Sequence, residues 1–329
     1  MRRRTTRGVT LTEQGLGAAQ LGNLYREIDD EQAASVVEAA WEAGIRYFDT
    51  APHYGLGLSE RRLGDALRRY PRDEFVLSTK VGRLLEPDPD ARPGFDPEGF
   101  AVPATTRRVW DFSRDGVLRS IEASLERTGL ERIDIAYLHD PDDHWGAAST
   151  TGVGALIELR DQGVLAAVGA GMNQSAMPAA LIREADVDLI MLAGRYTLLD
   201  QSGLDELLPL ALERGVGIVA AGVYNSGLLG RNRPAADAHF DYAQAPSDII
   251  MRTNAIADVC ESFGVALPEA AIGFALGHPA VASVVLGARS KTQVDENVRR
   301  ASIPIPPELW TSLAERGLLN PPTTTTGAS

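Results

Sequence analysis

Short β-branched runs alternate with amphipathic stretches of helical period along almost the whole chain, and this alternation restricts the available folds more than any other feature. Residues 31–43 carry apolar side chains at helical spacing, with Asp30 placed as an N-cap; Gly44 ends the helix and residues 45–49 (IRYFD) read as a strand. Residues 59–69 predict a helix capped by Ser59, and residues 74–80 a strand. Val117, Leu118, Ile121 and Leu125 mark one face of a further helix, and residues 133–139 form the next strand. The unit continues with helix around 154–160, strand 164–170, helix 176–184, strand 187–192, helix 204–213 and strand 216–221. Helical stretches at 255–262 and 269–276, strand 283–288 and a last helix over 291–300 complete it, while residues 15–22 supply the eighth strand. Eight strands with intervening helices and no break in composition predict one α/β domain, a closed (β/α)₈ TIM barrel over residues 15–303. An N-terminal arm (1–14) precedes it, and a C-terminal extension (304–329) ends in PPTTTTGAS, which reads as a disordered tail. The competing architecture, a doubly wound sheet, usually opens its first strand–helix turn with GxGxxG; GLGLSE at Gly55 has another spacing and follows the second strand.

Composition narrows the function classes. A formal net charge of -13 repels phosphate backbones, so nucleic acid is not an expected partner. The basic start (Arg2, Arg3, Arg4, Arg7) is too short to change that and reads as a solvated arm. The single cysteine, Cys260, excludes an intrachain disulfide and a thiolate zinc site, and its helical setting suggests a buried, inert thiol. No apolar run reaches membrane-spanning length and no signal-peptide pattern opens the chain, so the expected compartment is the cytoplasm, without a membrane partner. Monomer and homodimer both stay open.

Four polar residues fall at or just beyond consecutive strand ends: Asp49, Tyr54, Lys80 and His139. A barrel collects such residues around one pocket. Phenol is a poor base at neutral pH, an adjacent ammonium lowers its pKa, and a buried ammonium needs a carboxylate. Tyr54 with Lys80 and Asp49 meets those needs, and His139 can orient a substrate oxygen. Tyr54 would then take a hydroxyl proton on oxidation or give one on reduction, while a nicotinamide cofactor carries the hydride. The plainer readings are a structural Asp49–Lys80 pair and a loop-anchoring Tyr54. HDPDDH (139–144) offers imidazoles and carboxylates to a metal, but no second cluster accompanies it and no metal is expected; His53, Asp143 and His144 read as pocket-rim or solvated loop groups. Two long connections follow strands, at 81–113 and 221–247. Their aromatics, Phe95, Phe100, Trp110, Tyr224, Phe240 and Tyr242, either wall a substrate pocket or pin the loops.

Residues 44–67 (GIRYFDTAPHYGLGLSERRLGDAL) resemble the signature around the catalytic Asp and Tyr of the aldo-keto reductases, STKVGR holds the matching Lys80, and IDIAYLHD the matching His139. The resemblance runs from about Leu16 to Asn297. It implies the (β/α)₈ barrel, Tyr54 as acid/base tuned by Lys80 and Asp49, His139 as the orienting group, and a dinucleotide extended across the barrel mouth without a Rossmann motif. Common members hold the nicotinamide amide with a Ser-Asn pair; GAGMNQ here leaves Asn173. The family's sixth-strand glutamine falls near Ala193 and its ring-stacking tyrosine near Ala221, with Tyr224 one turn on. After the last strand, Gly287, Ala288, Arg289 and Ser290 approach the adenosine phosphate, and Glu296 and Asn297 match adenine-side residues. Where NADP-dependent members carry Lys, Ser and Arg, this chain has Gly287, Ala288 and Gln293, which implies NAD; Arg289 and Lys291 keep NADP compatible. His53, Trp110 and Tyr224 are the expected substrate-pocket residues. PHYGLGLSERRLG, VGRLL and VGAGMNQ are similar to the bacterial branch that oxidises L-fucose and D-threo-aldoses at C1, a likeness shared by pyridoxal 4-dehydrogenases. The implied reaction converts a cyclic hemiacetal to a lactone, with pyridoxal oxidation or general aldehyde reduction as alternatives. The non-enzyme alternative is a cofactor-binding sensor or partner subunit.

Overall fold

The structure, a computed structural model, describes residues 1–91, 93–235, 237–241 and 243–320. The chain opens with an antiparallel hairpin, β1 (Arg3–Thr6) and β2 (Val9–Thr12), and enters the barrel at β3 (Gln14–Gly17). Next come α1 (Asp30–Glu42), β4 (Tyr47–Asp49), α2 (Leu58–Leu67) and β5 (Val76–Val81). A second hairpin, β6 (Arg83–Pro87) and β7 (Thr106–Trp110), rises beyond β5, and α3 (Arg114–Thr128) leads to β8 (Ile135–His139). A short turn α4 (Trp145–Ala147) passes through a π-helical stretch into α5 (Val153–Asp161) and β9 (Ala167–Met172). Then follow α6 (Ala176–Glu184), β10 (Leu189–Ala193), α7 (Leu207–Arg214) and β11 (Gly217–Ala221). A third small hairpin, β12 (His239–Phe240) and β13 (Ala243–Gln244), precedes α8 (Ser247–Ser262), α9 (Leu267–Gly277), β14 (Val281–Gly287), α10 (Lys291–Ala301) and α11 (Pro307–Glu315).

Strands β3, β4, β5, β8, β9, β10, β11 and β14 pair in that order, all parallel, and β14 returns to β3 to close the barrel. Both faces of a barrel strand are covered, which is why β8 (IAYLH) and β9 (AVGAGM) are buried at every position. The register steps by two residues from strand to strand across the site. Asp49 lies opposite Ser78, two before Lys80; Lys80 lies opposite Tyr137, two before His139; His139 lies opposite Gly171. This stagger accompanies the strand tilt that closes a barrel. It brings Asp49, Lys80 and His139 to the C-terminal mouth, with Tyr47, Ser78 and Tyr137 one layer below.

Several elements differ from the sequence reading. The basic N-terminus is not a solvated arm: Val9 and fully buried Leu11 pack against Tyr47, Ile135, Tyr137 and Leu189 at the barrel floor. Arg4 donates to the backbone oxygens of Val281 (2.7 Å) and Leu276 (3.0 Å) and pairs with Glu13, while Arg7 pairs with Asp186. The first barrel strand stops at Gly17, and Ala18–Gly22 continues as a 3₁₀ turn. Asp29, not Asp30, caps α1, accepting from Gln32 N at 2.7 Å. Ser59 lies inside α2, its hydroxyl donating to Ala18 O (2.7 Å) and bonded to Thr50, so it bolts α2 to the barrel mouth rather than capping the helix. Helix α8 starts earlier, at Ser247, and α11 adds a helix beyond the one expected to be last. Tyr242 and the PPTTTTGAS tail lie outside the described residues. Cys260 is buried in α8, where desolvation pushes its thiol up to about 12. Among the described residues, no single helix is long and apolar enough to cross a membrane.

Candidate active site

A cavity of about 480 Å³ opens at the C-terminal end of the barrel, and Asp49, Tyr54, Lys80 and His139 all line it. Lys80 Nζ donates to Asp49 Oδ2 (2.7 Å) and to Thr50 O (3.0 Å), both partners buried. Ser78 Oγ donates to the other carboxylate oxygen of Asp49 at 2.7 Å. Behind it stand the hydroxyls of Tyr47, 3.1 Å from Ser78 Oγ, and Tyr137, 3.3 Å from Tyr47. Because Ser78 gives its proton to Asp49, it can only accept from Tyr47, and Tyr47 in turn from Tyr137. This hydroxyl chain holds Asp49 from below.

Burial works against the Lys80 ammonium, but Asp49 and Tyr54 outweigh it and raise Lys80 to about 12, so it stays charged. Its Nζ stands 4.8 Å from the centroid of the Tyr54 ring. For Tyr54 the balance reverses: burial raises the phenol more than Lys80 lowers it. Lys80 lowers the phenol in the expected direction, but burial outweighs it, so the net shift is upward. The protein by itself leaves Tyr54 a phenol, ready to give a proton.

The Tyr54 ring meets His139 edge-on, centroids 5.9 Å apart. His139 is buried, and desolvation together with Arg83 and Lys80 drives it well below the ordinary histidine value, so the ring is neutral. Its Nε2 lies 3.6 Å from Asp140 Oδ2, and its Nδ1 is buried with no protein partner among the described residues. Asp140 carries a φ of 40°, an uncommon conformation for a side-chain-bearing residue, and Arg83 fixes its carboxylate at 2.6 Å. The Tyr54 loop is set by a close backbone approach: a Cβ on Gly22 would fall 2.6 Å from the Tyr54 carbonyl carbon, and one on Gly55 (φ 63°) would collide with Gly22.

The expected cofactor residues occupy the adjoining rim. Asn173 is exposed at the end of β9 and lines the cavity, as do Gly287 and Arg289. Arg289 donates from Nη2 to Leu24 O (2.8 Å), while its buried Nε has no protein partner among the described residues. Ser290 caps α10, and Gln293 Oε1 accepts from Arg289 N at 2.7 Å. A cavity-lining guanidinium beside a helix N-terminus suits a phosphate group. Other expected contacts are engaged within the protein. Ala288 is buried, and Glu296 pairs with Arg300. Asn297 Nδ2 donates to Gly287 O (3.4 Å) and its Oδ1 accepts from Tyr224 at 3.2 Å, so Asn297 braces the rim. Lys291 is drawn to Glu42 and Asp295, away from a phosphate role.

His53 and Tyr224 line the cavity; Trp110 does not, and instead lies over Arg83, whose guanidinium carbon is 4.5 Å from its ring, and against His144. Buried Phe100 packs on His53 and Tyr54, whereas Phe95 is exposed. The connection after β11, expected as a pocket wall, contributes residues 222–227 to the cavity; sequence reasoning missed Gln20 and Tyr25 at the mouth and the pairing of Arg83 with Asp140. Asp140, directly after His139, carried the one visible signal.

A sequence profile described as the aldo/keto reductase family matches residues 14–316. The chain is 49% identical over 318 residues to a D-threo-aldose 1-dehydrogenase from a Pseudomonas species, covering 96% of this chain and 97% of that one. It is 43% identical to a pyridoxal 4-dehydrogenase from Microbacterium luteolum, covering 95% and 96%. Among solved structures, an aldo-keto reductase from Bacillus halodurans in its holo form superposes with a TM-score of 0.76 at 26% identity, with 96% of each chain covered.

Proposed function

The chain belongs to the aldo/keto reductase family, and from that membership we propose that it oxidises the C1 hydroxyl of a cyclic aldose to a lactone, using NAD in preference to NADP. The reading rests above all on the buried Asp49–Lys80 pair beneath Tyr54, with His139 facing the same cavity. The cofactor, when bound, takes or supplies the hydride at the reacting carbon. Arg289 and the N-terminus of α10 would hold its phosphate end, and Asn173 its nicotinamide amide. Absence of a cation at Gly287, Ala288 and Gln293, with Lys291 tied to carboxylates, favours NAD; Arg289 still offers a grip on a 2'-phosphate.

The residues divide the remaining work. His139, neutral, gives a hydrogen bond to the substrate oxygen and fixes the face presented to the cofactor. On oxidation Tyr54 acts as the phenolate, having first lost its own proton: the C1–H bond breaks with its electron pair leaving carbon, the C1 hydroxyl proton passes to the phenolate Oη, and the C1–O bond becomes a carbonyl. On reduction the same proton returns from Tyr54. Lys80 lowers the cost of phenolate, and Asp49 keeps Lys80 charged. Since burial leaves Tyr54 protonated near neutrality, oxidation, which needs the phenolate, quickens as pH rises, whereas reduction, which needs the phenol, stays level across neutrality and declines only as pH climbs toward the raised Tyr54 value. Likeness to a pyridoxal 4-dehydrogenase supports a second reading in which the hemiacetal of pyridoxal occupies the same site.

The test is NAD- and NADP-linked oxidation of L-fucose, D-arabinose, L-galactose and pyridoxal by the wild type and Tyr54→Phe. The expected result is aldose oxidation with a higher kcat/KM for NAD, and a loss of about 10²–10⁴-fold in the variant with cofactor binding retained. Turnover of pyridoxal alone would select the second reading. A large NADP advantage would reject the coenzyme assignment, and an active Tyr54→Phe would reject the acid/base role.

A further inference from the structure

His53 lines the cavity beside Tyr54 and His139 but has no part in the proton transfer above. Its ring stands edge-on to both, with centroids 5.4 Å from His139 and 5.9 Å from Tyr54. One of its nitrogens is spoken for. Arg108 Nε lies 2.5 Å from His53 Nδ1, with an Arg83 nitrogen 3.5 Å away. A guanidinium donates and does not accept, so Nδ1 presents a lone pair and the ring proton resides on Nε2.

Arg108 is itself held in place. It grips Asp96 through two bonds of 2.8 and 2.6 Å, and donates to His53 O at 3.0 Å. Asp96 is buried, so the arginine cannot turn to solvent without stranding a carboxylate. A second proton on the ring is opposed by burial and by the charges of Arg108, Arg83 and Lys80, which push His53 down to about 2. The hairpin β6–β7 and the connection between its strands thus fix one tautomer of a pocket histidine. Nε2 has no acceptor of its own among the described residues.

We propose that His53 Nε2–H donates to a substrate hydroxyl on the carbon next to the reacting one, making His53 a specificity residue for α-hydroxylated carbonyl compounds and their cyclic forms. Its place follows from the neighbours: Tyr54 and His139 bracket the reacting oxygen, and His53 abuts both. The inference deepens the aldose reading and rests on it for the site, but requires only an oxygen beside the reacting centre. A donor placed for a substrate hydroxyl is left unpaired by an analogue that lacks one, which penalises the analogue.

The experiment compares reduction of glyceraldehyde and propanal by wild type, His53→Phe and His53→Gln. Phe keeps a ring without a donor, and Gln restores an N–H near the Nε2 position. The ratio of kcat/KM for glyceraldehyde to that for propanal is expected to fall about tenfold in His53→Phe, chiefly through KM, and to recover in His53→Gln. An unchanged ratio in His53→Phe overturns the proposal. Nitrogen-15 spectra of the wild type, which need no variant to fold, are expected to show His53 as the neutral Nε2–H tautomer from pH 5.5 to 8; the Nδ1–H tautomer or an imidazolium overturns it as well. If no aldose is oxidised while the glyceraldehyde preference still follows His53, the aldose reading fails and this one stands.

Discussion

Ser78 donates to one oxygen of Asp49 while Lys80 donates to the other, so a carboxylate inside the barrel is satisfied on both sides. Removing the Ser78 hydroxyl leaves a buried carboxylate oxygen without its donor, which costs on the order of 1–3 kcal/mol. Ser78→Ala is expected to lose about that much in urea denaturation and to lower kcat less than Tyr54→Phe does, because Lys80 still holds Asp49. An unchanged denaturation midpoint would show that the hydroxyl chain carries no weight. At this scale, Asp49, Lys80 and His139 were legible because strand ends are easy to locate and these residue types are costly to bury without partners. The layer beneath left a fainter mark. Tyr47, Ser78 and Tyr137 each stand two positions before a member of the group, and strand side chains repeat with a period of two. What no spacing reveals is the balance of burial against charge that keeps Tyr54 protonated, because that depends on the finished pocket. The engagement of Asn297 and Glu296 with protein partners was hidden for the same reason.

Strands and helices were legible where apolar periodicity is strong. Helix α6 begins and ends where the pattern placed it, and β8 and β9 depart only by the residues that start or finish a barrel strand. The N-terminal hairpin was not. Its two four-residue strands are too short to display a period, and four arginines in seven residues suggested solvent. Long-range partners decide the matter: backbone carbonyls at the end of α9 and the start of β14 receive Arg4, and the barrel floor receives Leu11. A barrel needs its interior filled at the end away from the site, and Leu11 does this from outside the β/α repeat. Leu11→Ala is therefore expected to destabilise the protein by about 2–5 kcal/mol, read by urea denaturation, with kcat/KM retained at permissive temperature. Wild-type stability in that variant would return the hairpin to the role of a loose arm. The position of Ser59 teaches a related point, since a serine at a helix start can serve tertiary contacts instead of a cap.

The whole molecule is a closed parallel barrel whose register spirals by two residues per strand across the site, so that three consecutive strand ends, carrying Asp49, Lys80 and His139, and the loop carrying Tyr54 converge on a single cavity. Hydride transfer at that mouth predicts a particular fate for the hydrogen at C1. Wild-type enzyme would be incubated with NAD and L-fucose deuterated at C1 in ordinary water, and the reduced cofactor and the sugar product identified by mass spectrometry. Direct transfer predicts one deuterium in each reduced cofactor, a lactone in equal amount and a primary isotope effect on the chemical step. Reduced cofactor free of deuterium, or a product other than the lactone, would contradict the assignment of this barrel to C1 oxidation.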